Sequence, residues 1–219
     1  MNIAILGAGN IGGTLTRRLT TLGHHVAVGN SRDPDTLAAL AEETGATAAW
    51  ASEATHGADV VIVTIPEKNI PDLPDHLLKG TADDVVVIDT GNYYPQERDG
   101  RIDEIEQGMT ESRWVEEQLG VTVVKAFNNI RSDHLLDMGR PPATPGRIAL
   151  PVAGDDAAAK SVVMALVDTL GFDAVDGGGL DDSWRQQPGS PVYGTDLDAD
   201  GVRRALAEAT PERPAAYRA

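Results

Sequence analysis

The first twelve residues constrain this chain more than any others. Asn2 to Leu6 is a short apolar run that feeds directly into Gly7-Ala8-Gly9-Asn10-Ile11-Gly12, and Ile11 to Leu22 then reads as a helix. A G-x-G-x-x-G between a strand and a helix asks for a tight turn at Gly7, close backbone approach at Gly9 and close helix–strand packing at Gly12. The helix start offers free N–H groups and the positive end of its dipole, which suits a pyrophosphate. The motif therefore predicts a dinucleotide site at the carboxyl end of the first strand.

The remainder of the chain keeps up the alternation. His25 to Val28, Asp59 to Ile65, Val85 to Asp89, Val121 to Phe127 and Ile148 to Ala153 are rich in Val and Ile. They are mostly apolar throughout, as expected of parallel strands covered on both faces. Helical patterns lie between them. Thr36 to Thr44 follows Asp33-Pro34, a cap with proline at the first helical position, and in Asp156 to Leu170 the residues Val163, Leu166, Val167 and Leu170 share one face. No internal repeat interrupts this order. The pattern predicts an α/β fold, a Rossmann-type doubly wound and mostly parallel sheet with a small C-terminal portion. Residues 1–154 are expected to form the nucleotide-binding domain and 155–209 the small acceptor-binding portion, with a further strand over Phe172 to Val175. Residues 210–219, rich in Pro and Ala, are expected to be a disordered tail.

Composition removes several classes of function. The chain has no cysteine, so disulfides, thiolate nucleophiles and thiolate metal sites are excluded, and a cytoplasmic setting is expected. There is no basic leader and no long apolar stretch, so neither secretion nor a membrane span is expected. With 34 acidic and 18 basic residues the formal charge is −16, which should repel nucleic acid unless basic residues are gathered locally. Two stretches do gather them. Residues 1–32 hold Arg17, Arg18 and Arg32 and no acid; residues 118–154 hold Lys125, Arg131, Arg140 and Arg147 against Asp133 and Asp137. The first contains the glycine loop. In the second, Lys125 and Arg131 are candidate neighbours for an anionic acceptor, whereas Arg17 and Arg18 read as a solvated helix face.

The end of the second strand selects the dinucleotide. An NAD site places Asp or Glu there to bind the ribose 2′-hydroxyl. Here the segment reads Val28-Gly29-Asn30-Ser31-Arg32, in which Ser31 and Arg32 suit a 2′-phosphate, while Asp33 before Pro34 reads as a helix cap. NADP(H) is therefore the expected cofactor. The other strand-end loops, Thr64-Ile65-Pro66-Glu67-Lys68, Asp89 to Pro95 with Asn92 at its centre, and Asn128-Asn129-Ile130-Arg131, complete a rim that suits a nicotinamide ring. No histidine has the strand-end position and carboxylate neighbour of a dehydrogenase acid/base, and no metal-ligand spacing occurs. The rim is thus expected to supply proximity and orientation for hydride transfer.

Read in order, Gly7 to Gly12, Gly29-Asn30-Ser31-Arg32, Val124 to Ile130, Pro151 to Asp156 and the Gly-rich Asp176 to Leu180 resemble the coenzyme F420-dependent NADP oxidoreductases along nearly the whole chain. The resemblance implies a dimer that exchanges hydride between NADP and the C5 of a 5-deazaflavin. It also implies that Ser31 and Arg32 hold the 2′-phosphate, that Asn128, Asn129 and Ile130 position the two rings, and that Gly178, Gly179 and Leu180 help form the deazaflavin pocket. The segment Ser183 to Tyr193 departs from the family pattern. Its Trp184 and Tyr193 are candidates to stack on a flat ring and its Arg185 to meet an anion, which leaves room for a flavin or a small carbonyl or imine as acceptor. A non-enzymatic NADP(H) sensor is the remaining alternative.

Overall fold

The computed structural model describes all 219 residues. The chain order is β1 (Asn2–Leu6), α1 (Asn10–Thr21), β2 (His25–Asn30), α2 (Ala38–Thr44), β3 (Thr47–Trp50), α3 (Ala51–Ala54), β4 (Val60–Val63) and β5 (Val86–Asp89). It continues through α4 (Asp103–Glu106), α5 (Glu111–Leu119), β6 (Val123–Lys125), α6 (Ser132–Asp137), β7 (Ala149–Val152), α7 (Ala157–Thr169), β8 (Asp173–Asp176) and α8 (Ala199–Glu208). Six strands form one sheet in the order β3-β2-β1-β4-β5-β6, and every pair in it is parallel. This is a Rossmann-like α/β fold, with the strand order reversing between β1 and β4.

Alternation along each strand divides the core into two layers, because successive side chains of a strand point to opposite faces. Ile3 and Ile5 of β1 and Val60 and Ile62 of β4 pack with Leu15 and Leu19 of α1 and with Val163, Leu166 and Val167 of α7. Ala4, Leu6, Val61 and Val63 point the other way, into a layer with Tyr93 and with Trp114 and Val115 of α5. The apolar runs read in the sequence are therefore strands covered on both sides.

β7 and β8 lie outside the main sheet as a separate parallel pair, Ala149 opposite Asp173 through Val152 opposite Asp176. A two-hydrogen-bond bridge joins Lys125, at the end of β6, to Ala153, just beyond β7. The pair packs on α8 through Ala149, Val175, Val202 and Leu206. Side chains close the ends of three helices. Asp156 accepts from Ala158 and Ala159 N–H at α7, Thr110 from Arg113 N–H at α5, and Asp198 from Gly201 N–H at α8. No helix is long and apolar enough to cross a membrane.

Two expectations change. Residues 210–219 are held against the body of the protein. Arg213 donates to Glu111 at 2.8 Å, and Gln96 Nε2 donates to the carbonyls of Ala215 and Arg218. A buried counter-ion outweighs the weak local propensity of that stretch. Arg18 is likewise no solvated residue. Its guanidinium donates to the carbonyls of Leu136 and Leu170, tying α1 to the ends of α6 and α7, whereas Arg17 forms an exposed pair with Glu43.

Arg147 performs a similar service beside β7. Its nearly buried guanidinium donates to Asp168 and Asp173 and to the carbonyls of Arg140, Asp168 and Gly171. Arg147→Met is expected to lower the unfolding free energy by about 2–4 kcal/mol, since it leaves several acceptors unpaired at once. Urea unfolding checks this, with Arg203→Met, an exposed i,i+3 pair, as the near-neutral comparison.

Candidate active site

The glycine loop has a different physical reason for each of its glycines. Gly7 has φ +102°, and a Cβ there would lie 2.8 Å from Ile65 Cγ2 and 2.9 Å from the Thr64 carbonyl. A Cβ on Gly12 would lie 2.0 Å from the Gly7 carbonyl oxygen. Gly9 is neither strained, with φ −69°, nor crowded, since a Cβ there meets no protein atom within 4 Å. Nothing inside the protein requires glycine at this position; close approach of a ligand does. The first turn of α1 carries no acidic residue and its N-cap has no side-chain partner, so the helix N–H groups stay available to an anion. A cleft of about 530 Å³ runs beside Gly9, Asn10, Gly13 and Thr14 toward Thr36 and Leu37. These features fit a dinucleotide.

Thr64 fastens the loop to the next strand by donating its hydroxyl to the carbonyls of Leu6 and Gly7, at 2.9 and 2.8 Å. Ile65 and Pro66 follow on the same edge, and Ile11 is packed against the core at the start of α1. At the end of β2, Asn30 shapes the neighbouring turn by accepting from Arg32 N–H at 2.9 Å and donating to Thr36 Oγ1. Asp33 accepts from Asp35 N–H, so it is a cap, as expected. Ser31 and Arg32 are exposed, and neither Arg32 nor Lys68 has an acidic partner, although most other basic side chains do. Two uncommitted cations thus flank the glycine loop.

Beneath the rim lies an ionic cluster that the sequence did not reveal. Lys125, fully buried, donates to Asp89 Oδ2 at 3.0 Å and to the Gly91 carbonyl at 2.7 Å, with Glu111 Oε2 at 3.9 Å. Asp89 also accepts from Ser112 Oγ and from Gly91 N–H. Glu67, 1% exposed, accepts from Arg98 at 2.8 Å, and Arg98 also reaches Asp99 and the Asn92 carbonyl. Arg213 completes the cluster on Glu111. Burial resists the charge on Lys125, but Asp89, Glu111 and Glu67 together hold its pKa above the ordinary lysine value. Burial, reinforced by Glu111, pushes Glu67 well above the usual carboxylate range. Lys125 is therefore an internal counter-ion, not the expected neighbour of an acceptor tail, and Arg131 is spent on Asp133. The available signal was a charged residue at the end of each of two fully apolar strands.

The ring-positioning candidates stand directly after this cluster. Phe127 adopts φ +62°, a strained conformation for an aromatic residue, and turns the chain sharply at the end of β6. Asn128 then forms a closed network. Its Nδ2 donates to Asn92 Oδ1 and to the Gln186 carbonyl, its Oδ1 accepts from Gln186 Nε2, and its carbonyl accepts from Asn92 Nδ2. Asn129 is buried with neither polar atom of its amide paired, while its carbonyl accepts from Gly194 N–H. Ile130 is buried in the core.

The acceptor candidates divide. Tyr193 reaches the rim, where its hydroxyl meets that of Tyr94, and Tyr217 packs near Tyr94 at 6.1 Å between centroids. Trp184 and Arg185 instead stack on one another, with the guanidinium 4.5 Å from the ring centroid and donating to the Leu206 carbonyl of α8. Trp184 borders a separate groove of about 1030 Å³ between α5 and residues 208–218. Leu180 is buried in the layer beside α5, and Gly178 and Gly179 form the turn that precedes it, held by Asp176 and Asp182.

Comparison with known proteins agrees with this geometry. The family described as NADP oxidoreductase, coenzyme F420-dependent, matches residues 2–93, the stretch from β1 into the β5 loop. Protein SMa0349 from Sinorhizobium meliloti is 30% identical, with 90% of this chain and 95% of that one covered at a TM-score of 0.75. Residues 2–93 belong to the F420-dependent NADP oxidoreductase family. A protein from Arthrobacter sp. FB24, described as a candidate F420-dependent NADP-reductase, has the same fold, with a TM-score of 0.69 at 24% identity over 84% of this chain and 87% of that one. The YjhV protein of Escherichia coli strain K12 is 47% identical over 73 residues, 33% of this chain and 53% of that protein, so the match spans about half of its length. The family consists of NAD(P)-dependent oxidoreductases.

The loop makes a paired prediction. Gly9→Ala should leave the thermal midpoint nearly unchanged and weaken NADPH binding at least tenfold. Gly12→Ala should itself destabilise the fold, by about 1–3 kcal/mol. Calorimetric unfolding and titration of both variants with NADPH check the contrast.

Proposed function

We propose that this protein passes hydride between NADP(H) and a deazaflavin such as coenzyme F420. The observation that carries the NADP half is the end of β2, where no carboxylate awaits a ribose hydroxyl and Arg32 offers an unpaired fork of donors. The nicotinamide supplies the hydride; the chain's own residues bind and orient. Gly9 and the start of α1 receive the pyrophosphate, Ser31 and Arg32 the 2′-phosphate, and Thr64, Ile65 and Asn92 border the space for the ring. The deazaflavin half rests on the family and on the rim formed by Asn92, Asn128 and Tyr193.

A second reading has an observation in its favour. The hydroxyls of Tyr94 and Tyr193 meet on this rim, and burial raises the pKa of both phenols, so they remain protonated across the physiological range. Reduction of a small carbonyl or imine needs a proton as well as a hydride, and this pair is the proton source the histidines do not provide.

Mixing the protein with NADPH and, separately, oxidised F420, free flavin and a panel of imines and carbonyls separates the readings. Fast loss of NADPH with F420 supports the deazaflavin, and loss only with the small substrates supports the second reading. NADPH binding without turnover of any acceptor identifies a sensor. Arg32→Ala should weaken NADPH roughly ten- to a hundredfold while changing NADH little, as expected from removal of one or two charge-assisted bonds. Equal weakening of both nucleotides would sink the 2′-phosphate assignment.

A further inference from the structure

The loops that end β4 and β5 meet at one close contact. A Cβ on Gly91 would lie 2.5 Å from Glu67 Oε1 and 3.0 Å from Asp89 Oδ1, so the glycine is what lets the Glu67 carboxyl reach the β5 loop. Glu67 is buried, Arg98 takes its Oε2, and its Oε1 has no hydrogen-bond partner; Glu111 Oε2 is in the same position. Four carboxylates share this interior, Glu67, Asp89, Asp99 and Glu111, and three cations answer them: Lys125 from β6, Arg98 from the 95–99 turn and Arg213 from the C-terminal segment. The cluster is one positive charge short of neutrality, and an uncompensated buried charge is costly.

We propose that Glu67 is a positioning residue that works as a neutral acid, holding the one proton that balances the cluster and so letting the β4 and β5 loops close at Gly91 beside the nicotinamide space. Asp89 is spoken for by Lys125, Ser112 and Gly91 N–H, Asp99 by Arg98 and Tyr94 N–H, and Glu111 by Arg213. Glu67 shares Arg98 with Asp99 and its free oxygen has no cation beside it, whereas the free oxygen of Glu111 lies 3.9 Å from Lys125 Nζ. Loss of its proton places a fourth negative charge against Asp89, Asp99 and Glu111, and the repulsion falls on the peptide whose N–H and carbonyl the cluster grips. Opening there displaces Gly91 and Asn92, and with Asn92 the amide network of Asn128. The inference rests on the reading of this edge as the ring-binding edge; the protonation itself does not.

The sign of the pH dependence follows from the raised pKa. In the unfolded chain Glu67 ionises at about pH 4.3, whereas in the folded protein it keeps its proton. The stability that Glu67 contributes is therefore greatest below that pH and is lost as pH rises, until Glu67 ionises in the folded state too. Glu67→Gln keeps the neutral shape and removes the dependence. Between about pH 5 and pH 8 the unfolding constant of the wild type, divided by that of Glu67→Gln, should grow by up to tenfold per pH unit. A ratio constant with pH would overturn the proposal.

Infrared spectroscopy of the wild-type protein at neutral pH should show the carbonyl stretch of a protonated, buried carboxylic acid. The band should vanish in Glu67→Gln; its absence from the wild type, or its survival in Glu67→Gln, overturns the assignment. If Glu67→Gln does not fold, Glu67→Asp takes its place: the band should then shift or vanish, and an unchanged band overturns the assignment. The positioning role has a separate readout. The ratio of NADPH turnover at about pH 9 to that at pH 7 should be lower in the wild type than in Glu67→Gln. Equal ratios overturn the positioning role. If no acceptor is turned over, the proposed function fails while stability and infrared data still judge the proton.

Discussion

Lys125 and Asp89 face each other across neighbouring parallel strands, buried away from bulk solvent, and the loops of the candidate site are tied to that pair. Removing one partner of a buried pair of this kind costs about 3–5 kcal/mol, because the other is left uncompensated. The geometry it secures is local and specific. Lys125 holds the Gly91 carbonyl, Asp89 holds the Gly91 N–H, and the backbone of Lys125 bridges to Ala153, joining β6 to the β7–β8 pair. One residue thus connects the nucleotide-binding sheet, the rim loop and the C-terminal portion.

The two halves of the rim are built on different principles. The nucleotide half is made of backbone: glycines, a helix N-terminus and a hydroxyl that pins the loop. Little there has to move when an anion arrives, since the N–H groups already point outward. The other half is made of side-chain amides and phenols that satisfy one another. Asn92, Asn128 and Gln186 use their hydrogen bonds internally, and they set the shape of the surface more than they offer free groups to a ligand.

Legibility in the sequence follows the same division. Gly7 to Gly12 and Asn30 to Arg32 act through short-range geometry, so their spacing carries their meaning. The long apolar strands were readable because burial on both faces leaves a continuous Val and Ile signature. β3, only Thr-Ala-Ala-Trp, and α5, whose apolar face is interrupted by Glu111 and Ser112, lack such a signature. Lys125 misled for a deeper reason. A lysine after a Val-rich strand reads as an anion binder until the register sets Asp89 opposite it, and parallel register is not encoded nearby. Trp184 and Arg185 were candidates for ring and anion contacts, but each finds its partner in the adjacent residue. The C-terminal segment reads as loose because its anchor, Glu111, is 102 residues away.

That separation bears on how the protein comes to be made. A ribosome releases β1 to β6 long before it adds Arg213, so the nascent sheet must pass a period in which Glu111 lies near Lys125 without its second counter-ion. The interior of the first half is finished by a segment synthesised well after it. Docking of that segment, and not closure of the sheet, is then the step that completes this interior on a growing chain.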